Sequence, residues 1–237
     1  TVLGAALVVP GIKLTDWLLA AGPRWDPAEW LGALGNTFWL SAAAAVASTA
    51  AALPLGVLAA RHRDSVTKAL EGASYVAHGL PAIVVAISMV SLGVLLLRPV
   101  YQREPLLILA YTVLFVPMAI GSIRAAVESA PIRLEEVARS LGRAPVRAFA
   151  TVTARVALPG IAAGAALVLL TCMKELPVTL LLHPTGTDTL ATRLWGYSSI
   201  SDYAASAPYA AALLVFAAVP TAVLGMWSTS SVEMRSD

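Results

Sequence analysis

Residues Glu128–Ala157 read ESAPIRLEEVARSLGRAPVRAFATVTARVA, set between two apolar stretches at about Leu106–Val127 and Leu158–Leu182. Leu134, Val137, Ala138 and Leu141 recur at helical spacing, which predicts a short amphipathic helix. Glu135 and Glu136 fall in its first turn, where the helix dipole favours negative charge. Gly142 is the expected stop, because glycine enters the left-handed C-cap conformation without strain. After Pro145 a second helix restarts, with Val146, Phe149 and Val152 on one side and Arg143, Arg147 and Arg155 available to water or headgroups. The expected product is a helix, a tight turn and a second helix on a membrane surface. It serves either as an interfacial connector held by anionic lipid or as a rigid knob made for a groove in a partner.

The rest of the chain supplies the membrane. Of 237 residues, 58% are hydrophobic and 13% charged, with a mean hydropathy of +0.78. Soluble domains carry roughly 25% charged residues, and surface-to-volume scaling prevents one core from hiding such an apolar excess. A soluble globular enzyme is excluded. The net charge of +2 gives no reason to expect nucleic acid. Cys172 is the single cysteine, so no intrachain disulfide or thiol cluster forms, and its apolar surroundings predict a buried, inert thiol. His62, His78 and His183 show no metal-ligand spacing, and no P-loop pattern occurs. The chain opens on Thr1 in an apolar run without a basic n-region. It reads as a processed chain or a piece of a longer one, not as a signal peptide.

A spanning helix needs about 20 apolar residues. Thr1–Pro10 reads as the outer end of a truncated first span, followed by a polar segment at Lys13–Ala33. Five firmer spans follow at about Leu34–Ala60, Gly72–Leu97, Leu106–Val127, Leu158–Leu182 and Pro208–Trp227. Each contains a proline (Pro54, Pro81, Pro117, Pro177, Pro220), which bundled membrane helices tolerate. The small residues of Ser41–Ala52 fit either close helix packing or a merely alanine-rich helix. Ten basic residues (Arg61, Arg63, Lys68, Arg124, Arg133, Arg139, Arg143, Arg147, Arg155, Arg235) stand on one side against Arg24, Arg98, Arg103 and Arg193 on the other. The positive-inside rule then places residues 61–71, 128–157 and the C-terminus in the cytoplasm. Trp17, Trp25, Trp30, Trp39, Tyr101, Trp195, Tyr197, Tyr203 and Tyr209 agree, falling at or near the outer interface.

Glu136-Val137-Ala138 followed by Gly142 resembles the EAA loop of binding-protein-dependent ABC importer permeases. Val137 stands where that family usually has Ala, and Ala154-Arg155 where Leu-Pro is usual, with Leu158-Pro159-Gly160 a few residues on. The spans from Leu34 to Trp227 are similar to the type I importer fold. The resemblance implies an all-α type I transmembrane domain of about six helices, the first truncated, as one permease domain over residues 1–237. It implies that loop 128–157 is a coupling helix, with Glu135, Glu136, Ala138, Gly142 and Arg143 meeting a cytoplasmic ABC ATPase dimer. A second permease half, identical, paired or fused, is implied too. The chain would bind no cofactor, ATP and Mg being used by the partner ATPase.

Lys174-Glu175 in the fifth span is costly, about 2.5–3.5 kcal/mol for one charge near the bilayer centre. Pro177 frees the Met173 carbonyl. The pair, with Pro177 and Thr179, is either a translocation pathway or gate, or a structural ion pair within the bundle. Lys174 reads as too deep to snorkel. The string KELPVTLLLHPTGTDTLATRLW (residues 174–195) and GLPAIVVA (79–86) resemble ferric-iron ABC permeases. That resemblance implies ferric iron delivered by a periplasmic or lipid-anchored binding protein, to a multi-pass protein of the bacterial inner membrane. Glu175, Asp188, Thr179, Thr187 and Thr189 are hard oxygen donors, but their spacing shows no chelating cluster and no metal site is assigned. Asp188 and Arg193 either dock the binding protein or contact iron. The same-class alternatives are permeases for thiamine, molybdate, sulfate or polyamine. From other classes come a gradient-driven secondary transporter and an intramembrane hydrolase built on Ser74 and His78.

Overall fold

The computed structural model describes residues 2–22, 26–62 and 64–233, with only the backbone described for residues 2–7, 77–78 and 219–233. Arg24, Trp25, Arg63 and Arg235, used above for orientation, lie outside the described residues, and the side chain of His78 does too. In chain order the α-helices are α1 (Val2–Ala21), α2 (Pro27–Arg61), α3 (Ser65–His78), α4 (Ala82–Leu95), α5 (Glu104–Glu128), α6 (Ile132–Ser140), α7 (Pro145–Ala148), α8 (Ala154–Met173), α9 (Pro177–Leu182), α10 (Leu190–Ser199) and α11 (Tyr203–Glu233). No strand occurs among the described residues. Pro27–Arg61, Glu104–Glu128 and the continuous run Pro145–Met173 are long and apolar enough to cross a bilayer; Ala82–Leu95 and Tyr203–Ala218 are shorter apolar helices.

Three sequence expectations change. Lys13–Ala33 is not a polar connector. Helix α1 continues to Ala21; within it Lys13 and Asp16 lie one turn apart at 3.5 Å, and the Thr15 hydroxyl donates to the Gly11 carbonyl. The stretch Gly72–Leu97 is not one span. Pro81 lacks an N–H and pushes Leu80 out of the helical region, so α3 ends at His78 and α4 starts afresh at Ala82. Finally, the helix restarting at Pro145 does not lie apart from the spans. It runs through a π-helical turn, Phe149–Thr153, directly into α8. Pro54, Pro117 and Pro159 do stay inside helices, as membrane helices allow.

Contacts divide the chain into two units: residues 39–172 with 177–184, and residues 1–38, 173–176 and 185–237. In the first, α5 is the central helix. Leu106, Leu107, Ala110, Tyr111, Ile120 and Ile123 are each at most 2% exposed. Glu104 and Pro105 open it, an acid and a proline where a first turn favours both. Leu40, Ala44, Ala45 and Ala52 of α2 pack in the same core, so the small-residue stretch serves close packing. Gly160 and Gly164, four residues apart on α8, meet Ala126 and Ser122 of α5. A Cβ at Gly160 would sit 2.7 Å from the Ala126 Cβ, so glycine is what lets these backbones approach.

In the second unit, α10 and α1 pack on α11. Trp17 stacks on Tyr203 with centroids 5.0 Å apart, and Tyr197 on Tyr209 at 5.7 Å. Tyr209 is 2% exposed; it belongs to this core rather than to an interfacial belt. Helix α2 begins with Asp26 accepting the Ala28 amide (2.8 Å) and Pro27 in the first helical position. Thr189 and Thr192 form a capping box at α10, with Thr189 N–H on Thr192 Oγ1 at 2.8 Å and Thr192 N–H on Thr189 Oγ1 at 3.2 Å. The Thr37 hydroxyl then accepts the buried Leu190 amide (2.8 Å), and Asn36 Nδ2 donates to the Asp188 carbonyl (3.0 Å).

Candidate functional site

Loop 128–157 is built around the end of α6. Gly142 takes φ +83°, the Arg143 amide reaches back to the Ala138 carbonyl (3.2 Å), and the Gly142 amide to that of Arg139 (3.0 Å). This double closure is a Schellman stop, and it needs a residue tolerant of positive φ at position 142. Arg143 is exposed and donates to the Thr151 hydroxyl at 2.9 Å, bracing the turn against the foot of the next helix. Of the apolar face of α6, only Ala138 is buried, at 8%; Leu134, Val137 and Leu141 are 50%, 56% and 78% exposed. Ile132 and Val146 are also exposed. A nine-residue helix thus presents its apolar side chains outward from a rigid, capped turn.

The two carboxylates of α6 separate. Glu136 is exposed. Glu135 points inward, where its Oε2 accepts from the Thr153 hydroxyl (2.7 Å) and from Arg61 Nη2 (3.4 Å). Arg61 also donates to Thr153 Oγ1 at 3.1 Å. Sequence reasoning used Arg61 only as an orienting charge and missed Thr153. These residues lie 74 and 18 positions from Glu135, and no local spacing signals them. A second ion cluster, Arg124 with Glu71 (2.5 Å) and Glu128 (3.1 Å), ties α3 to α5.

The fifth span is interrupted where Pro177 predicts. Helix α8 ends at Met173, residues 174–176 are not helical, and Pro177 opens α9. Lys174 is exposed and Glu175 is half-buried. The break turns the two charges out of the helical hydrogen-bond ladder. Past it, Val178, Thr179 and Leu182 are buried. Thr179 Oγ1 is hydrogen-bonded to the Tyr111 hydroxyl of α5, and the Thr179 carbonyl to His183 Nδ1 (2.9 Å). His183 is thereby placed as a helix-end residue. Cys172 is buried, as its apolar surroundings predict.

Asp188 and Arg193 are brought together. Arg193 reaches Asp188 Oδ2 (2.8 Å) and Glu29 Oε1 (2.6 Å), and the Tyr197 hydroxyl donates to Glu29 Oε2 (3.3 Å). Glu29 was not foreseen; it anchors the first turn of α2 to this cluster. The guanidinium occupies the space between the two carboxylates. No group of three or more His, Cys, Asp or Glu placed to hold a metal ion occurs among the described residues. The Ser74 hydroxyl donates to the Glu71 carbonyl (2.7 Å), which occupies the nucleophile proposed for a hydrolase.

The family description "Binding-protein-dependent transport system inner membrane component" matches residues 52–234. The chain belongs to that family. The chain is 38% identical over 222 residues to the Fe(3+)-transport system permease protein FbpB 2 of Haemophilus influenzae. The match covers 91% of this chain but 43% of the relative, so the chain spans less than half of that protein's length. Among solved structures, the inward-facing MetNI methionine ABC transporter superposes with a TM-score of 0.65 at 17% identity, over 85% of this chain and 98% of that one. A bacterial alginate ABC transporter in complex with an alginate pentasaccharide-bound periplasmic protein gives 0.67 at 16%, over 91% and 86%. At such identities the likeness concerns the fold. The chain has the type I ABC importer transmembrane fold, with helices and no strand among the described residues, and is a multi-pass membrane protein.

Proposed function

We propose that this chain is the transmembrane permease subunit, or one permease half, of an ATP-driven importer that moves ferric iron into the bacterial cytoplasm. The observation that carries the substrate is the 38% identity to a ferric permease over 91% of this chain. The coupling role rests on α6, whose Leu134, Val137 and Leu141 are exposed above a Schellman-capped turn. Such a rigid apolar knob fits a groove in a cytoplasmic ATPase dimer, and closure of that dimer on ATP and Mg would rock the attached helices about a site near the bilayer midplane. The chain supplies no catalytic residue and holds no cofactor in this scheme. Loop 128–157 and the C-terminus face the cytoplasm, while the region of Asp188 and Arg193 faces a periplasmic or lipid-anchored ferric-binding protein. A second permease half completes the pathway, with Lys174, Glu175, Pro177 and Thr179 at its interrupted helix.

The test is recovery of the complex from native membranes in mild detergent, followed by uptake in reconstituted vesicles. Labelled ferric iron is compared with thiamine, molybdate, sulfate and polyamine. Recovery of an ABC ATPase with ATP-dependent uptake of iron alone is the expected result. Uptake driven by a proton gradient without ATP would replace this reading by a secondary transporter.

A further inference from the structure

Adjacent carboxylates on one short helix have opposite surroundings. Glu136 is exposed, whereas the Glu135 side chain is 17% exposed and that of Arg61 15%. Thr153, the third member, is fully buried at 0%. Its single hydroxyl proton goes to Glu135 while its oxygen accepts from Arg61, so the three side chains close a triangle with no idle hydroxyl. They come from three separate segments: the last residue of α2, the middle of α6, and the last residue of the π turn below α8. The π turn inserts an extra residue into the helical ladder, and Thr153 at its end is the residue aimed at Glu135.

Apart from Ala138, α6 buries no residue. The triangle is the side-chain tie that joins it to α2. A charged cluster in this setting adds little net stability but holds a defined geometry, since breaking one member leaves its partner unsatisfied. Helix α8 is joined to the loop through the chain, but α2 is remote in sequence and meets Glu135 through side chains.

We infer that Arg61, Glu135 and Thr153 are positioning residues forming the joint through which displacement of loop 128–157 is passed to α2 as well as α8, with Glu136 left to face the partner. This inference rests on the coupling role proposed above.

The test uses the whole complex purified through this chain and reconstituted, comparing R61Q, E135Q, T153V and the exchange R61E/E135R with wild type. The readouts are ATPase co-purified per permease and uptake per ATP hydrolysed. R61Q and T153V are expected to retain the ATPase, and all three single variants to lose uptake per ATP by about tenfold, the scale on which residues between two sites modulate their coupling. The exchange variant is expected to recover at least half of it. T153V keeps shape and inserts normally if a charge variant does not. Wild-type uptake per ATP in the single variants with the ATPase still bound overturns the joint alone, as does an exchange variant no better than R61Q and E135Q. Absence of any ATPase from the wild-type preparation overturns the importer reading and the joint with it.

Discussion

Loop 128–157 and the segment 177–193 both interrupt the run of apolar helices, yet they handle their side chains in opposite ways. The first puts Leu134, Val137, Leu141 and Val146 outside and keeps inside small residues, Ala130, Ala138, Ala148, Thr153 and Ala157, with a charged tie. The second buries Val178, Thr179, Leu182, Leu190, Ala191 and Thr192, and closes its charges on one another through Arg193. Segment 177–193 pairs its charged groups Asp188 and Arg193 within its own chain. The loop carries exposed apolar side chains on a rigid turn, which is the character of a contact surface. The difference marks α6 as the face suited to the proposed ATPase contact, and leaves the Asp188–Arg193 cluster as a polar surface for the proposed binding protein.

The comparison breaks most sharply at Val137. V137D places a charge in the exposed face of α6 and leaves the fold stable within about 0.5 kcal/mol, as surface changes do. It should weaken ATPase retention by more than about tenfold, as a desolvated charge at an interface centre does. Thermal unfolding and co-purification on the same preparation check both halves. An equivalent loss of thermal stability would make this face part of the fold. Next in size, E175Q at the interrupted span should lower uptake several-fold with the ATPase still bound. A failure of assembly would instead assign Glu175 a structural role.

Smaller effects sharpen the self-satisfied side. T37V removes the hydroxyl that accepts the buried Leu190 amide (2.8 Å), and should cost about 1 kcal/mol in unfolding assays. T37S should restore most of that loss. The smallest effect is at Asp64, whose carboxyl is held below its ordinary value of 3.8 by the Thr67 hydroxyl and then the Thr67 amide. The folded value is the depressed one, so this contribution is present above 3.8 and fades as pH falls through the folded value. A pH titration of thermal stability should show the fade in wild type and not in D64N.

What the sequence made legible was local. Gly142 is followed by no competing signal, so its stop could be read directly. Pro177 marks a true break because it lies beside two charges that have no place in a lipid-facing ladder. Pro81 was misread as another tolerated proline. The break there depends on Gly79 and Leu80 ahead of it, and hydropathy alone runs straight through. The π turn left no trace in periodicity, because Val146, Phe149 and Val152 suit an ordinary helix equally well. Glu135 looked like a dipole-favoured surface acid. Its inward turn depends on Arg61 and Thr153, and on a packing arrangement that no spacing within α6 encodes.

The central claim is that the exposed end of α6 seats in an ATPase, and site-specific cross-linking in native membranes tests it most directly. Leu141, 78% exposed beside the Gly142 turn, and Leu96, 74% exposed after α4, are each replaced by cysteine; native Cys172 is buried at 2%. The account predicts capture of an ABC ATPase from L141C and none from L96C. No capture from L141C, or equal capture from both positions, would contradict it.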